Sequence, residues 1–296
     1  MTGSITEQPE RAVQIGAVAS PMVPTFVRVR ARRRETFDTF TLTLDYAPNF
    51  HSPRTTHQFL PGQFNMLYVF GVGEVPISIS GDASKTGQIV HTIRAVGSVT
   101  NALAKLRRGD VVGVRGPFGS SWPLEAAQGF DLVFVTGGVG LAPLRPAIYH
   151  VLRNRDKYGR VALLYGARTP ADLLYCGELE RWRGRFDLQV HVTVDHADET
   201  WHGHVGVVTT LFPQAEFNPQ KTIGFMCGPE VMMRFTLREF EKRGVPDDRL
   251  YLSLERNMQC AIGFCGHCQF GPSFICMNGP KFRYDKIKMF FGVREA

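Results

Sequence analysis

Four of the six cysteines in this 296-residue chain lie close together near its end. Cys260, Cys265, Cys268 and Cys276 have the spacing C-x4-C-x2-C-x7-C, with glycines at 263, 266 and 271 between them. Thiolates bind soft metals, and the opening C-x4-C-x2-C is the plant-type spacing for a 2Fe-2S cluster. A zinc site is the alternative, but zinc ribbons usually pair two separated C-x2-C hooks and only one is present here. The spacing therefore favours a 2Fe-2S cluster held by four thiolates.

The composition is that of an ordinary globular protein with room for two domains and a small lobe. No apolar run approaches the roughly 20 residues of a membrane span, and residues 1–20 read as a flexible tail rather than a signal peptide. The absence of an export signal fits reduced thiols, so we expect a cytoplasmic protein. The net charge is +7, with basic clusters at 28–34 and 281–288. One interpretation of these clusters is a surface that binds anionic nucleotides or an acidic partner protein; the other is that they are solvated strand faces and tails. No nucleic-acid-binding signature accompanies them.

The first hundred residues predict an antiparallel β-barrel. Short runs alternate between apolar and polar residues, as in 39–44, 64–70 and 89–95, and Gly, Pro and Asp turns separate them. The segment 97–100, Gly-Ser-Val-Thr, then leads into a short helix. A helix N-terminus with a hydroxyl group suits a pyrophosphate, although an ordinary capped helix would have the same sequence.

The middle of the chain predicts a doubly wound parallel sheet. The apolar strand 130–135 runs into a glycine turn, and a helix begins near Leu141. Further strands are expected at 161–165, 188–194, 222–226 and 250–254, with helices at 173–182, 207–211 and 230–243. Ligands of such sheets bind beyond the carboxyl ends of the strands. Cys227 follows one such strand and is either a functional thiol or a small buried residue, whereas Cys176 is expected to be a buried mid-helix residue.

This order of motifs resembles the ferredoxin-NADP reductase family. The four cysteines after the last sheet strand make the chain most similar to electron-transfer subunits of dihydroorotate dehydrogenase and to gamma subunits of cytoplasmic nickel-iron hydrogenases and sulfhydrogenases. The anaerobic sulfite reductase B subunit is a close cousin. The run 253–268 looks most like the hydrogenase gamma type.

The resemblance implies a role for residues in each motif. It implies that the flavin ring, its chain and its pyrophosphate contact Pro76, Ile77, Ser78, Ile79, His91, Thr92, Ile93, Arg94, Gly97, Ser98 and Thr100. It implies that the nicotinamide nucleotide lies against Gly137, Gly138, Val139, Gly140 and Pro143, with Cys227 and Gly228 near the nicotinamide ring. Arg168, which follows the strand at 161–165, either faces a nucleotide phosphate or only caps a surface. Glu255 either faces the flavin or is a solvated charge. Many family members have Arg-x-Tyr-Ser where this chain has Val75-Pro76-Ile77-Ser78, which weakens the choice of FAD over FMN; Arg94 could supply the missing charge.

The expected architecture is a tail at 1–20, an FAD-binding barrel at 21–122, an NAD(P)-binding α/β domain at 123–254 and a 2Fe-2S lobe at 255–296. A flavin exchanges both hydride and single electrons, so it is expected to lie between NAD(P)H and the cluster. The expected function is electron transfer between NAD(P)H and a partner redox enzyme, a nickel-iron hydrogenase.

Alternatives remain at this point. The partner could be a dihydroorotate dehydrogenase or a sulfite reductase. The chain could also be a self-sufficient diaphorase, or a zinc-stapled binding module without redox activity. The choice between NADH and NADPH stays open.

Overall fold

The computed structural model describes residues 20–46 and 58–293. The first structural unit is an antiparallel sheet whose strands follow the order β4-β3-β6-β1-β2-β5. Its strands are β1 (Thr25–Arg34), β2 (Thr39–Tyr46), β3 (Phe64–Val69), β4 (Gly73–Ser78), β5 (Gln88–Arg94) and β6 (Val111–Phe118). A bridge between Ile79 and His91 joins the two outer strands. The sheet therefore closes into the predicted barrel.

The barrel strands bury one face because their apolar residues alternate. Phe40, Leu42 and Leu44 of β2 are all buried in the barrel core, with Val27 and Val29 of the neighbouring strand. The short helix α1 (Ser98–Ala104) buries Leu103 in the same core. The predicted period-two pattern is thus confirmed.

The second structural unit is a mainly parallel sheet with helices on both faces. Its first strands are β7 (Asp131–Gly137), β8 (Val161–Ala167), β9 (Gln189–Val194), β10 (His204–Val205), β11 (Thr222–Cys227) and β12 (Leu250–Ser253). The helices are α2 (Leu141–Arg153), α3 (Cys176–Arg183) and α4 (Glu230–Lys242). Leu132 and Phe134 of β7 pack with α2 and α3, whereas Val133 and Val135 pack on the opposite face with α4. This arrangement is the predicted doubly wound sheet.

The cysteine-rich lobe is built onto both units. It contains a hairpin of β13 (Gln269–Phe270) and β14 (Ser273–Phe274), then α5 (Ile275–Asn278), β15 (Lys281–Arg283) and α6 (Tyr284–Ile287). β15 pairs antiparallel with β12, which gives the second sheet the order β10-β9-β8-β7-β11-β12-β15. Cys268 and Cys276 share a core with Phe64 and Met66 of β3. The lobe therefore contacts the barrel directly.

Four sequence-based expectations need correction or lie outside the structure. The helix expected at 173–182 begins at Cys176, because Leu173 is extended and Tyr175 has a left-handed backbone with φ of 56°. Cys176 is consequently the first helical residue and is exposed, not a buried mid-helix residue. The helix expected at 207–211 is a 3₁₀ helix at Val208–Gln214. The tail at 1–19 lies outside the described residues.

Within the described ranges, no helix is long and apolar enough to cross a membrane.

Candidate functional site

The carboxyl edge of the second sheet carries a row of four polar side chains. Thr136 on β7 is in register with Cys227 on β11, and Cys227 is in register with Ser253 on β12. Ser253 is in register with Lys281 on β15. In-register residues of neighbouring strands project from the same face. The row therefore lies where ligands of doubly wound sheets bind.

The glycine turn after β7 presses against this row. An ideal Cβ on Gly140 would lie 2.3 Å from the Cys227 carbonyl oxygen, so only glycine fits there. The Thr136 hydroxyl donates to the same carbonyl at 2.8 Å. Gly138 has a φ of 55° and open space where its Cβ would be, and a Cβ on Gly228 would lie 3.1 Å from the Gly137 nitrogen. The turn leaves a bare backbone surface that suits a dinucleotide.

The remaining residues predicted for nicotinamide binding surround this turn. Val139 is partly exposed at the turn, and Pro143 is buried in the first turn of α2, where its carbonyl accepts the Trp122 indole N–H at 3.1 Å. Arg168 is exposed immediately after β8, and its carbonyl accepts the His196 amide at 2.8 Å. The structure thus brings the predicted glycines, Cys227 and Gly228 together, with Arg168 at the end of the next strand.

Cys227 is held as a neutral thiol. It is buried, and burial is the main reason that its pKa is raised to about 12; the Glu255 carboxylate adds to this effect and Lys281 opposes it. A thiol with such a pKa is a poor nucleophile at neutral pH. Cys227 therefore contributes shape and packing beside the glycine turn. Glu255 itself is exposed.

Lys281 is a feature that the sequence analysis assigned wrongly to an exposed basic cluster. Its side chain is buried, its ammonium donates to the Gly62 carbonyl, and it lies 5.3 Å from the centre of the Trp122 ring. Burial lowers the pKa of Lys281 to about 8. Lys281 is buried because it lies on β15, the edge strand of the second sheet. The sequence alone does not show that β15 pairs with β12.

Residues predicted to hold the flavin fall into two groups. Pro76, Ile77 and Ser78 on β4 are half-buried, and Gly97 and Ser98 are exposed at the start of α1, so these five can face a ligand.

The second group is occupied within the protein. The side chains of Ile79 and Ile93 lie in the barrel core, so only their backbone could touch a ligand. The His91 ring is hydrogen-bonded to Asn65 at 3.2 Å and to the Ser78 carbonyl at 3.0 Å.

Polar side chains in the same strand and helix also have partners. The Thr92 hydroxyl accepts from Tyr175 at 2.7 Å, and Arg94 pairs with Asp38 at 2.6 Å. The Thr100 hydroxyl accepts from the Gly97 amide at 2.9 Å. The positive charge of Arg94, proposed from the sequence as a partner of the flavin phosphate, is therefore already paired with the Asp38 carboxylate.

The four clustered cysteines form two pairs. The Cys260 and Cys265 thiols interact with each other, as do the Cys268 and Cys276 thiols, and Cys260 is also near enough to Cys276 to contribute to raising the pKa of that thiol. Backbone amides surround the sulfurs: Phe264 and Cys265 donate to Cys260 at 3.2 and 3.4 Å, and Gly263 donates to Cys276 at 3.2 Å. The His267 side chain is exposed, and its backbone amide, not its ring, reaches the Cys265 sulfur. All six cysteines are free thiols.

Comparisons with known proteins agree with this geometry. Residues 134–238 match an oxidoreductase NAD-binding domain, and residues 255–288 match the iron–sulfur cluster binding domain of dihydroorotate dehydrogenase B. The chain is 36% identical to sulfhydrogenase 2 subunit gamma of Pyrococcus furiosus over 76% of its own length and 83% of that subunit. It is 35% identical to a probable dihydroorotate dehydrogenase B electron-transfer subunit of Methanocella arvoryzae, over 75% and 78% of the two chains.

The chain belongs to the family of sulfhydrogenase gamma and dihydroorotate dehydrogenase B electron-transfer subunits. Its fold is also that of an NADH-dependent reduced ferredoxin-NADP oxidoreductase studied for flavin-based electron bifurcation. The TM-score is 0.69 at 24% identity, over 92% of this chain and 94% of the other.

Membership of this family confirms several expectations. The ferredoxin-NADP reductase-like fold and the oxidoreductase class are both confirmed. The cofactor set of FAD, a nicotinamide nucleotide and an iron–sulfur cluster is confirmed, as is a role in electron transfer. The relatives are named as subunits of larger enzymes.

The iron–sulfur cluster binding domain that matches residues 255–288 supports a cluster rather than a zinc ion at the four cysteines. Each iron of a 2Fe-2S cluster takes two cysteine sulfurs, so four cysteines with backbone amides around their sulfurs suit that type of cluster.

Proposed function

We propose that this family member carries electrons between NAD(P)H and a partner redox enzyme, a nickel-iron hydrogenase, through FAD and a 2Fe-2S cluster. The observation that carries this proposal is that Cys268 and Cys276 share a hydrophobic core with Phe64 and Met66 of barrel strand β3, on the lobe that also extends the nucleotide-binding sheet. A one-electron carrier at that junction has access to both the flavin barrel and the protein surface.

The proposal assigns a role to each group of residues. FAD exchanges hydride with the nicotinamide and single electrons with the cluster when all three are bound. The β4 segment Pro76–Ser78 and the start of α1 hold the flavin, mainly through backbone groups. The bare backbone of 137–140, with Gly228, receives the nucleotide and places its reacting ring near Cys227. Cys260, Cys265, Cys268 and Cys276 hold the cluster.

The same proposal covers the organisation and location of the chain. Residues 21–122 form the FAD-binding domain, 123–254 the NAD(P)-binding domain and 255–296 the cluster lobe. The protein works in the cytoplasm, because a cluster held by thiolates needs cysteines that stay reduced. Dihydroorotate dehydrogenase is the second candidate partner, which the 35% identity to an electron-transfer subunit of that enzyme supports.

A pair of cysteine variants tests the electron path. Cys265→Ser removes one cluster ligand, so we expect loss of the cluster absorbance and of iron, while NAD(P)H still bleaches the flavin. Cys176→Ser is the matched control, because Cys176 is an exposed thiol outside the cluster set. The control should keep its flavin and its iron, and both reduction of the flavin by NAD(P)H and electron transfer to the cluster should persist. Loss of flavin with retention of iron in Cys265→Ser would contradict the assigned roles.

The partner is tested by purification of the chain at native expression level under anaerobic conditions, with mass spectrometry of the subunits that accompany it. We expect the large and small subunits of a nickel-iron hydrogenase. Recovery of a pyrimidine-oxidising subunit would favour the second candidate. Full NAD(P)H-dependent turnover of the natural acceptor by the isolated chain would instead indicate a self-sufficient diaphorase.

A further inference from the structure

A buried arginine lies between the barrel and the cluster loop. Arg115 on β6 has a side chain that is only 2% exposed, and its Nε and Nη2 each donate to one carboxylate oxygen of Glu74 at 2.6 Å. Glu74 is on β4, two residues before Pro76. Such a two-pronged pair fixes the plane and position of the guanidinium.

The remaining N–H groups of this guanidinium reach the cluster loop. Nη1 donates to the carbonyl of Cys260 at 3.1 Å, and Nη2 donates to the carbonyl of Gln259 at 3.4 Å. Nη1 also donates to the Pro21 carbonyl at 2.8 Å. One side chain therefore joins the strand assigned to the flavin to the backbone of the first cluster cysteine.

We propose that Arg115 is the positioning residue that seats the cluster loop on the flavin barrel and sets the reduction potential of the cluster. This inference rests on the proposed function, because it needs both cofactors. Its positional part follows from geometry: without the guanidinium, the 259–260 backbone loses its bonds to the barrel. Its electrostatic part follows from charge, since a reduced cluster carries one more negative charge and a buried cation nearby stabilises it.

Glu74 makes the two parts separable. Its carboxylate holds the guanidinium in place, but its negative charge opposes that of Arg115 at the cluster. Removing the cation should lower the cluster's reduction potential, whereas removing the anion should raise it. Loss of either Arg115 or Glu74 should weaken the attachment of the cluster loop to the barrel. A merely structural pair would not shift the potential in opposite directions.

The experiment uses the purified holoprotein and the variants Arg115→Met, Arg115→Lys and Glu74→Gln. The cluster potential is measured by redox titration followed by electron paramagnetic resonance, and cluster reduction by NAD(P)H is timed against flavin reduction. We expect a lower potential in Arg115→Met and a higher one in Glu74→Gln. All three variants should reduce the cluster at least tenfold more slowly than wild type. Arg115→Lys keeps the positive charge but not the two-pronged guanidinium geometry, so the reduction potential of its cluster should stay near that of wild type.

Glu178→Gln is the matched control. Glu178 on α3 forms another buried pair, with Arg145 on α2 at 2.7 Å, so this variant loses a comparable ion pair between two helices of the nucleotide-binding unit. Its cluster potential should equal that of wild type. Shifts of the same sign in Arg115→Met and Glu74→Gln, or wild-type potentials and rates in both, would overturn the inference. Absence of flavin or iron from the wild-type protein would instead overturn the proposed function, before any variant is compared.

Discussion

Lys281 shows how one buried charge can be invisible in a sequence. Its neighbours Arg283, Lys286 and Lys288 are ion-paired with surface carboxylates, and the four residues look alike in the printed chain. The alternation of β15 turns Lys281 inward, against Gly62 and Trp122. The same limit applies to Arg115, whose residue type predicts a solvated side chain. Which basic residues are buried depends on strand pairing between distant segments.

The titration of Lys281 gives a prediction at this scale. Folding lowers its pKa from 10.5 to about 8, so the unfolded chain binds more protons between these values, and this residue adds stability as the pH rises through that window. Relative to Lys281→Met, wild type should therefore gain stability from about pH 8 to about pH 10.5, by about 3 kcal/mol at most. Chemical unfolding of both proteins at several pH values measures the difference. A constant difference across this range would show that the lysine is charged and solvated in the folded protein.

The turn between β7 and α2 is the element that most directly shapes the nucleotide site. In Gly140→Ala, the new methyl group would meet the backbone carbonyl of Cys227, which is fixed in the sheet. We expect a loss of about 2 kcal/mol in unfolding free energy, and at least tenfold weaker binding of the nicotinamide nucleotide. Calorimetry of unfolding and nucleotide titration provide the two measurements.

Gly177→Ala is the control for this substitution. Gly177 is the second residue of α3, and the nearest atom to its added Cβ would be an Arg181 guanidinium nitrogen at 3.9 Å. Alanine there should increase stability by about 0.5–1 kcal/mol and leave nucleotide affinity unchanged. Equal effects of the two substitutions would contradict the close approach of the turn to β11.

Most elements were predictable from sequence because their patterns are local. The strands at 161–167, 189–194 and 222–227 agree with their apolar runs. The start of α3 was not predictable in the same way. Leu173, Leu174 and Tyr175 precede the helix as three consecutive apolar residues, all of them buried in the core of the nucleotide unit, and Tyr175 also reaches barrel residue Thr92. Because these three residues make tertiary contacts, the helix begins at Cys176 and not at Leu173.

At the scale of the whole molecule, the barrel and the nucleotide unit meet through a buried polar network. The Tyr175 hydroxyl donates to Thr92, whose hydroxyl is 2.9 Å from Thr41 and 3.0 Å from Ser80. The Arg145 guanidinium lies 4.1 Å from the centre of the Tyr175 ring and donates to the Ser80 carbonyl at 3.3 Å. Apart from Thr92, which the family resemblance assigned to flavin binding, none of these residues stands out in the sequence, because the partners of Tyr175 and Arg145 are on the other unit. The order of motifs predicts the two units but not their contact.

This network predicts the effect of Tyr175→Phe. The variant leaves the Thr92 hydroxyl without its donor from the other unit, so we expect a loss of about 1 kcal/mol in unfolding free energy and faster proteolysis between the units. Tyr158→Phe is the control, because its hydroxyl donates to the Leu124 carbonyl within the nucleotide unit. The control should lose similar stability without faster cleavage between units. Equal protease sensitivity of the two variants would show that the Tyr175 bond does not hold the units together.

The central claim is that electrons from a nicotinamide nucleotide leave through the four-cysteine lobe. Anaerobic reduction of the wild-type holoprotein with NADH or NADPH, followed by electron paramagnetic resonance at low temperature, tests this claim most directly. We predict bleaching of the flavin together with the signal of a reduced 2Fe-2S cluster, at about one spin per chain. A bleached flavin with no such signal, or zinc in place of iron at the four cysteines, would contradict it.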